Sequence, residues 1–92
     1  MKIVVYSIRD SASGAFQKPF FARSDGEAMR AFGDVANDET HAVGQHPEHY
    51  TLFRLGQFDD SNAEILPETK ESLANGLELV SQNKVTPITK EA

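Results

Sequence analysis

Residues 2–8 alternate: Ile3, Val5 and Ser7 fall on one side of an extended chain, and Val4, Tyr6 and Ile8 on the other. Both sides are largely apolar, which predicts a strand inside a sheet. Arg9-Asp10-Ser11-Ala12-Ser13-Gly14 has the composition of a turn. Ala15-Phe16-Gln17-Lys18 follows as a short extended piece, confined by Pro19 to an edge or a bulge. Phe20-Phe21-Ala22 resumes the extended form. Neighbours on a strand point to opposite faces, so one of Phe20 and Phe21 belongs to the core and the other to a surface or interface.

The period changes at Ser24. Ser24-Asp25-Gly26-Glu27 reads as a capping box, in which the Ser side chain accepts from an amide one turn on and Glu27 reaches back. Ala28, Met29, Ala31, Phe32, Val35 and Ala36 then recur at helical spacing and form a wide apolar stripe, so a helix is predicted over about residues 25–37. Glu27, Arg30 and Asp34 form its polar side, spaced for a ladder of surface charges. Gly33 in mid-helix costs about 1 kcal/mol relative to Ala, which suggests close approach of another backbone there. Asn37-Asp38 ends the helix and a polar loop follows over residues 39–45. His46-Pro47-Glu48-His49 suits a single helical turn with Pro at its first position.

Tyr50 to Asp59, rich in aromatic and large aliphatic side chains, reads as a strand that is central or covered on both faces. Asp59-Asp60-Ser61-Asn62 is a hairpin connection, and Ala63-Glu64-Ile65-Leu66 the returning strand, ended by Pro67. Leu73, Leu77 and Val80 match a helical spacing that Asn75-Gly76 interrupts, so a helical turn over 69–75 and an extended piece over 77–81 are expected. The pattern predicts one α+β domain over residues 1–81 and a flexible C-terminal tail over 82–92. Its core is a small mixed or antiparallel sheet of about four strands with one main helix packed on one face. A sheet covered on one face and open on the other invites self-association, which makes a homodimer the expected assembly.

Composition narrows the chemistry. A chain of 92 residues, 39% hydrophobic with six Phe and two Tyr, has room for one modest core. It has no Cys, hence no disulfide or thiolate chemistry, which suits a reducing cytoplasm. No apolar run approaches the roughly 20 residues of a membrane span, and the start of the chain does not resemble a signal peptide. The net charge is −5, with nine Lys and Arg against fourteen Asp and Glu, which counts against a broad phosphate-binding surface. His46 and His49 lie three apart, but a His-x-x-His beside a Pro does not by itself supply the three or four ligands of a metal site. Asp59-Asp60 and Asp25 with Glu27 have structural work in a turn and a cap, and the dispersed Gly residues form no phosphate loop. No enzyme activity, metal or cofactor is expected. The one pattern with functional content is aromatics interleaved with Arg: Phe20, Phe21, Arg23, Arg30, Tyr50, Phe53 and Arg54. Exposed rings can stack on unpaired bases while Arg holds phosphates, although a chain this small needs most of its rings inside.

Several stretches carry a resemblance: Pro19-Phe20-Phe21, Asp25-Gly26-Glu27-Ala28, Arg30-Ala31-Phe32, His46-Pro47-Glu48, and the run Tyr50-Thr51-Leu52-Phe53-Arg54-Leu55-Gly56-Gln57-Phe58-Asp59. In order and spacing they resemble the small nonstructural protein of gokushovirus-type microviruses, phages with a single-stranded DNA genome. The likeness covers residues 1 to about 80; it departs at His49, where such proteins more often carry Asp. It implies a protein made in the cytoplasm of the infected bacterial host, absent from the capsid, and linked to genome synthesis or packaging. Two functions are therefore expected to compete. One is binding of single-stranded DNA through Arg23, Arg30, Arg54, Phe20 and Phe21. The other is a non-enzymatic adaptor role, binding a viral or host replication protein without contacting DNA.

Overall fold

The computed structural model describes residues 1–83. In chain order the elements are β1 (Lys2–Asp10), β2 (Ala15–Phe16), β3 (Phe20–Ala22), α1 (Asp25–Ala36), α2 (Ala42–Gln45), a 3-10 turn (Pro47–His49), β4 (Tyr50–Asp59), β5 (Glu64–Asn75) and α3 (Gly76–Asn83). The strands form one antiparallel sheet in the order β2-β1-β4-β5, with β3 pairing further along the same edge of β1 as β2. The expected α+β architecture is therefore present, with β1 and β4 as its central strands. β2 and β3 are two halves of one edge, parted at Gln17 to Pro19; the Gln17 amide still donates to the Ile8 carbonyl at 2.8 Å.

α1 forms where its cap and apolar stripe predict. Ser24 Oγ accepts from the Glu27 amide at 3.2 Å, and Glu27 accepts from the Arg23 amide at 2.8 Å, one residue further back than the usual capping box. Glu27 is thus engaged at the cap instead of in the expected ladder with Arg30. The stripe buries Ala28, Phe32 and Ala36 against Tyr6 and Leu52 of the two central strands, with Val43 of α2 filling one end. Apolar surface removed from water in this cluster stabilises the fold by roughly 25 cal/mol per Å². Phe20 lies at its margin, its ring stacked on Tyr6 with centroids 5.7 Å apart.

Three expectations are corrected. The loop over 39–45 contains the short helix α2, whose N-cap is His41; its Nδ1 accepts from the Val43 amide at 3.1 Å. The strand after the hairpin does not stop at Pro67 but runs to Asn75. Pro67 is tolerated because β5 is an edge strand and the ladder changes register beside it, between Arg54 and Gly56. Gly56 permits that close passage: a Cβ there would run into the Leu66 carbonyl and lie 3.0 Å from Pro67 Cα. The helical turn over 69–75 and the extended piece over 77–81 are reversed, since 69–75 is strand and α3 follows. Asn75-Gly76 starts that helix instead of breaking one: Asn75 Oδ1 accepts from the Leu77 amide at 2.9 Å, and Glu78 accepts from the Asn75 amide at 2.8 Å. The tail expected over 82–92 overlaps α3 at its first two residues, and residues 84–92 lie outside the described residues.

Candidate nucleic-acid interface

The helices and the 3-10 turn of the described residues lie on the Tyr6 side of the sheet or at its end, so among the described residues the other side is open. The residues facing it follow from register. Ile3, Val5, Ser7 and Arg9 of β1 share that side; Val5 pairs with Phe21, Arg9 with Phe16, Ser7 with Phe53 and Ile3 with Phe58. Phe53 and Phe58 are five residues apart, an odd separation that would put them on opposite faces of a regular strand. A register shift opposite Val5 and Tyr6 leaves Leu55 as an extra residue, and this bulge returns both rings to the same face. Two edge-to-face pairs result: Phe16 with Phe53, centroids 5.3 Å apart, and Phe21 with Phe58, centroids 5.6 Å apart. Phe16 is 41% exposed, Phe21 53% and Ile65 of β5 68%, so this is apolar surface left in water. Ser7 lies beneath it, buried, its hydroxyl donating to the Gln17 carbonyl at 2.6 Å and fastening the edge strand.

The five expected contact residues are dispersed. Phe20 is the core member of its pair and Phe21 the surface one. Arg23, exposed at the end of β3, shares a shallow groove of about 450 Å³ with Phe21, Met1, Ile3 and Glu27. Arg30 sits on the far side of α1, lining a cleft of about 500 Å³ with Gly33, Asp34, Leu73, Glu78 and Leu79, where α3 packs against α1. Arg54 projects on the helix side, where its guanidinium donates to Asp25 and Glu71 and lies 4.0 Å from Glu68. Asp25 also accepts the Tyr6 hydroxyl at 2.7 Å. Burial, then the bond to Asp25, holds the Tyr6 phenol well above its ordinary titration range. Of the five, the fold brings only Phe21 and Arg23 together on the open side.

The residues that sequence reasoning left out are Phe16, Phe58 and Arg9, with Phe53 noted but not selected. Arg9 is a second cation of the open face beside Arg23, pairing in register with Phe16 on one side and Thr51 on the other. Strand alternation separates both pairs, since Phe16 and Phe21, like Phe53 and Phe58, are five residues apart; the break at Gln17 to Pro19 and the bulge at Leu55 return them to one face. A second grouping with chemical capacity lies at the end of the sheet. His46, Glu48 and His49 converge there, with potential ligand atoms all within 4.8 Å of one another.

A family model described as Phage ORF5 protein matches residues 3–79, from the first strand into α3. The chain belongs to the Phage ORF5 protein family. Comparison with curated proteins and with solved structures gave no significant match. The family match spans the open face, the carboxylate network around Arg54 and the His turn alike. Among the described residues, no helix is long and apolar enough to cross a membrane.

Proposed function

We propose that this Phage ORF5 family protein is a nonstructural protein of gokushovirus-type phages. It acts in the cytoplasm of the infected bacterium and assists synthesis or packaging of the single-stranded DNA genome by binding single-stranded DNA on its open sheet face. The observation that carries this reading is the pairing of four Phe rings, Phe16 with Phe53 and Phe21 with Phe58, on a face that no helix of the described residues covers. Base stacking on an aromatic ring contributes about 1–3 kcal/mol per base and tolerates any sequence. Arg9 and Arg23 flank the rings and supply phosphate contacts. The acidic balance is less adverse than the net charge suggests, because Asp25, Glu68 and Glu71 are turned to Arg54 on the other side. The role is non-enzymatic and led by stacking, with few phosphate contacts.

Anisotropy of a labelled single-stranded oligonucleotide tests this directly. Two phosphate contacts predict a slope of about −1.4 for log K against log salt. Phe21→Ala and Phe53→Ala should each weaken binding by roughly tenfold, whereas Arg30→Ala should leave it unchanged. A flat titration at low salt would sink direct DNA binding by the isolated protein.

The exposed apolar face together with a net charge of −5 also favours a second reading, in which that face docks a replication protein or a second copy of the chain. Under it the oligonucleotide trace stays flat, and the same Phe substitutions abolish protein association.

A further inference from the structure

We propose that His46, Glu48 and His49 form a surface binding site for a divalent first-row transition ion of the zinc class. The reasoning begins with the 3-10 turn. At three residues per turn, side chains three apart eclipse one another, so His46 at the head of the turn and His49 at its end project to the same side. Their rings lie with centroids 5.7 Å apart, and Glu48 Oε2 lies 3.6 Å from His49 Nε2. One ligand atom from each of the three side chains falls within 4.8 Å of the others. Tetrahedral ligation at about 2.0–2.2 Å per bond sets donors roughly 3.3–3.5 Å apart, so a rotation of an ångström or so closes the set.

What distinguishes this turn from an accidental cluster is how its backbone is held. The His46 carbonyl accepts from the His49 amide at 3.0 Å, closing the turn. The His49 carbonyl accepts from the Ser11 amide at 2.8 Å, which ties the turn to the loop after β1. The Glu48 carbonyl accepts from Asn75 Nδ2 at 3.2 Å, which ties it to the end of β5. Beneath Pro47 the α3 start is packed so closely that a Cβ on Gly76 would lie 2.6 Å from the Pro47 carbonyl oxygen. Every backbone carbonyl of the turn is thus anchored or packed, while the three donor side chains stay accessible. Binding an ion there requires ordering of side chains only.

The donor set fixes the class of ion. Two imidazoles and one carboxylate suit Zn²⁺, Co²⁺, Ni²⁺ or Cu²⁺, whereas Mg²⁺ and Ca²⁺ prefer all-oxygen sites. Water completes the coordination. The third histidine, His41, is engaged as the cap of α2 and stands outside the set.

The test uses the tag-free full chain, stripped with chelator and titrated with Zn²⁺ by calorimetry at pH 7.5, and with Co²⁺ by visible absorption. The expected result is uptake of one ion per chain in the micromolar range, reversed by added chelator. His46→Ala and His49→Ala should each weaken Zn²⁺ binding at least tenfold. Zn²⁺ should raise the melting temperature of the wild type but not of the double variant. Because both side chains are at the surface, circular dichroism of the variants is expected to match wild type. Either of two results would overturn the proposal: no saturable one-to-one uptake, or uptake unaltered in a folded double variant.

Discussion

The Tyr6 hydroxyl is the polar end of the largest fully buried side chain, and its acceptor Asp25 also takes the Arg54 guanidinium. Removing the hydroxyl while keeping the ring, as in Tyr6→Phe, should cost about 1–2 kcal/mol in chemical denaturation. The same group contributes to stability at alkaline pH. Its folded pKa lies above that of the unfolded chain, so its contribution is full below about pH 10. Above that the unfolded chain deprotonates first, and stability falls as pH rises through the folded value. Urea denaturation between pH 8 and 11 should show the wild type declining and Tyr6→Phe declining less. None of this could be read from residue order. Arg54 sits within an aromatic run and suggested a phosphate contact, but its partner Asp25 is 29 positions upstream and belongs to another element.

At the level of elements, what was legible was what is decided locally. The Ser24 cap, the apolar stripe of α1, the Pro-led turn and the hairpin at Asp59 all follow from contacts a few residues apart. The strand after the hairpin forms as expected at Glu64 to Leu66, but 69–75 and 77–81 take the opposite forms, strand and helix, because Pro67 and Asn75-Gly76 each permit two outcomes and only their neighbours decide. An edge strand tolerates Pro, and the Asn75 side chain found acceptors beyond its own helix. Asn75 Nδ2 lies 3.2 Å from the carbonyls of Glu48 and Tyr50 and from the Thr51 hydroxyl, while its Oδ1 caps α3. Asn75→Ala should therefore lower stability by about 2 kcal/mol, more than an ordinary exposed cap. Hydrogen exchange should register the loss in both α3 and the start of β4. Asn75→Asp should restore the cap but not the donor contacts.

At the scale of the whole fold, the decisive fact among the described residues is a sheet with one face beneath helices and one in water. Adjacent rings test it. Phe20→Ala should cost about 3 kcal/mol, since its ring packs on the core, while Phe21→Ala should change stability by less than about 1 kcal/mol. Equal losses in thermal unfolding would mean that the open face is not open. This two-sidedness was legible in the Phe20-Phe21 dipeptide; the full extent of the aromatic face was not, because Leu55 hides it. Leu55 acts as a phase slip: the chain on either side keeps a period of two, but the two halves of β4 run out of step by half a period. For the encoding gene this makes one codon an addition to an otherwise regular strand. Exchanging Leu55 for another side chain preserves the phase. Loss of its single codon would leave Phe53 and Phe58 four residues apart, an even separation that keeps both rings on the open face of a regular strand.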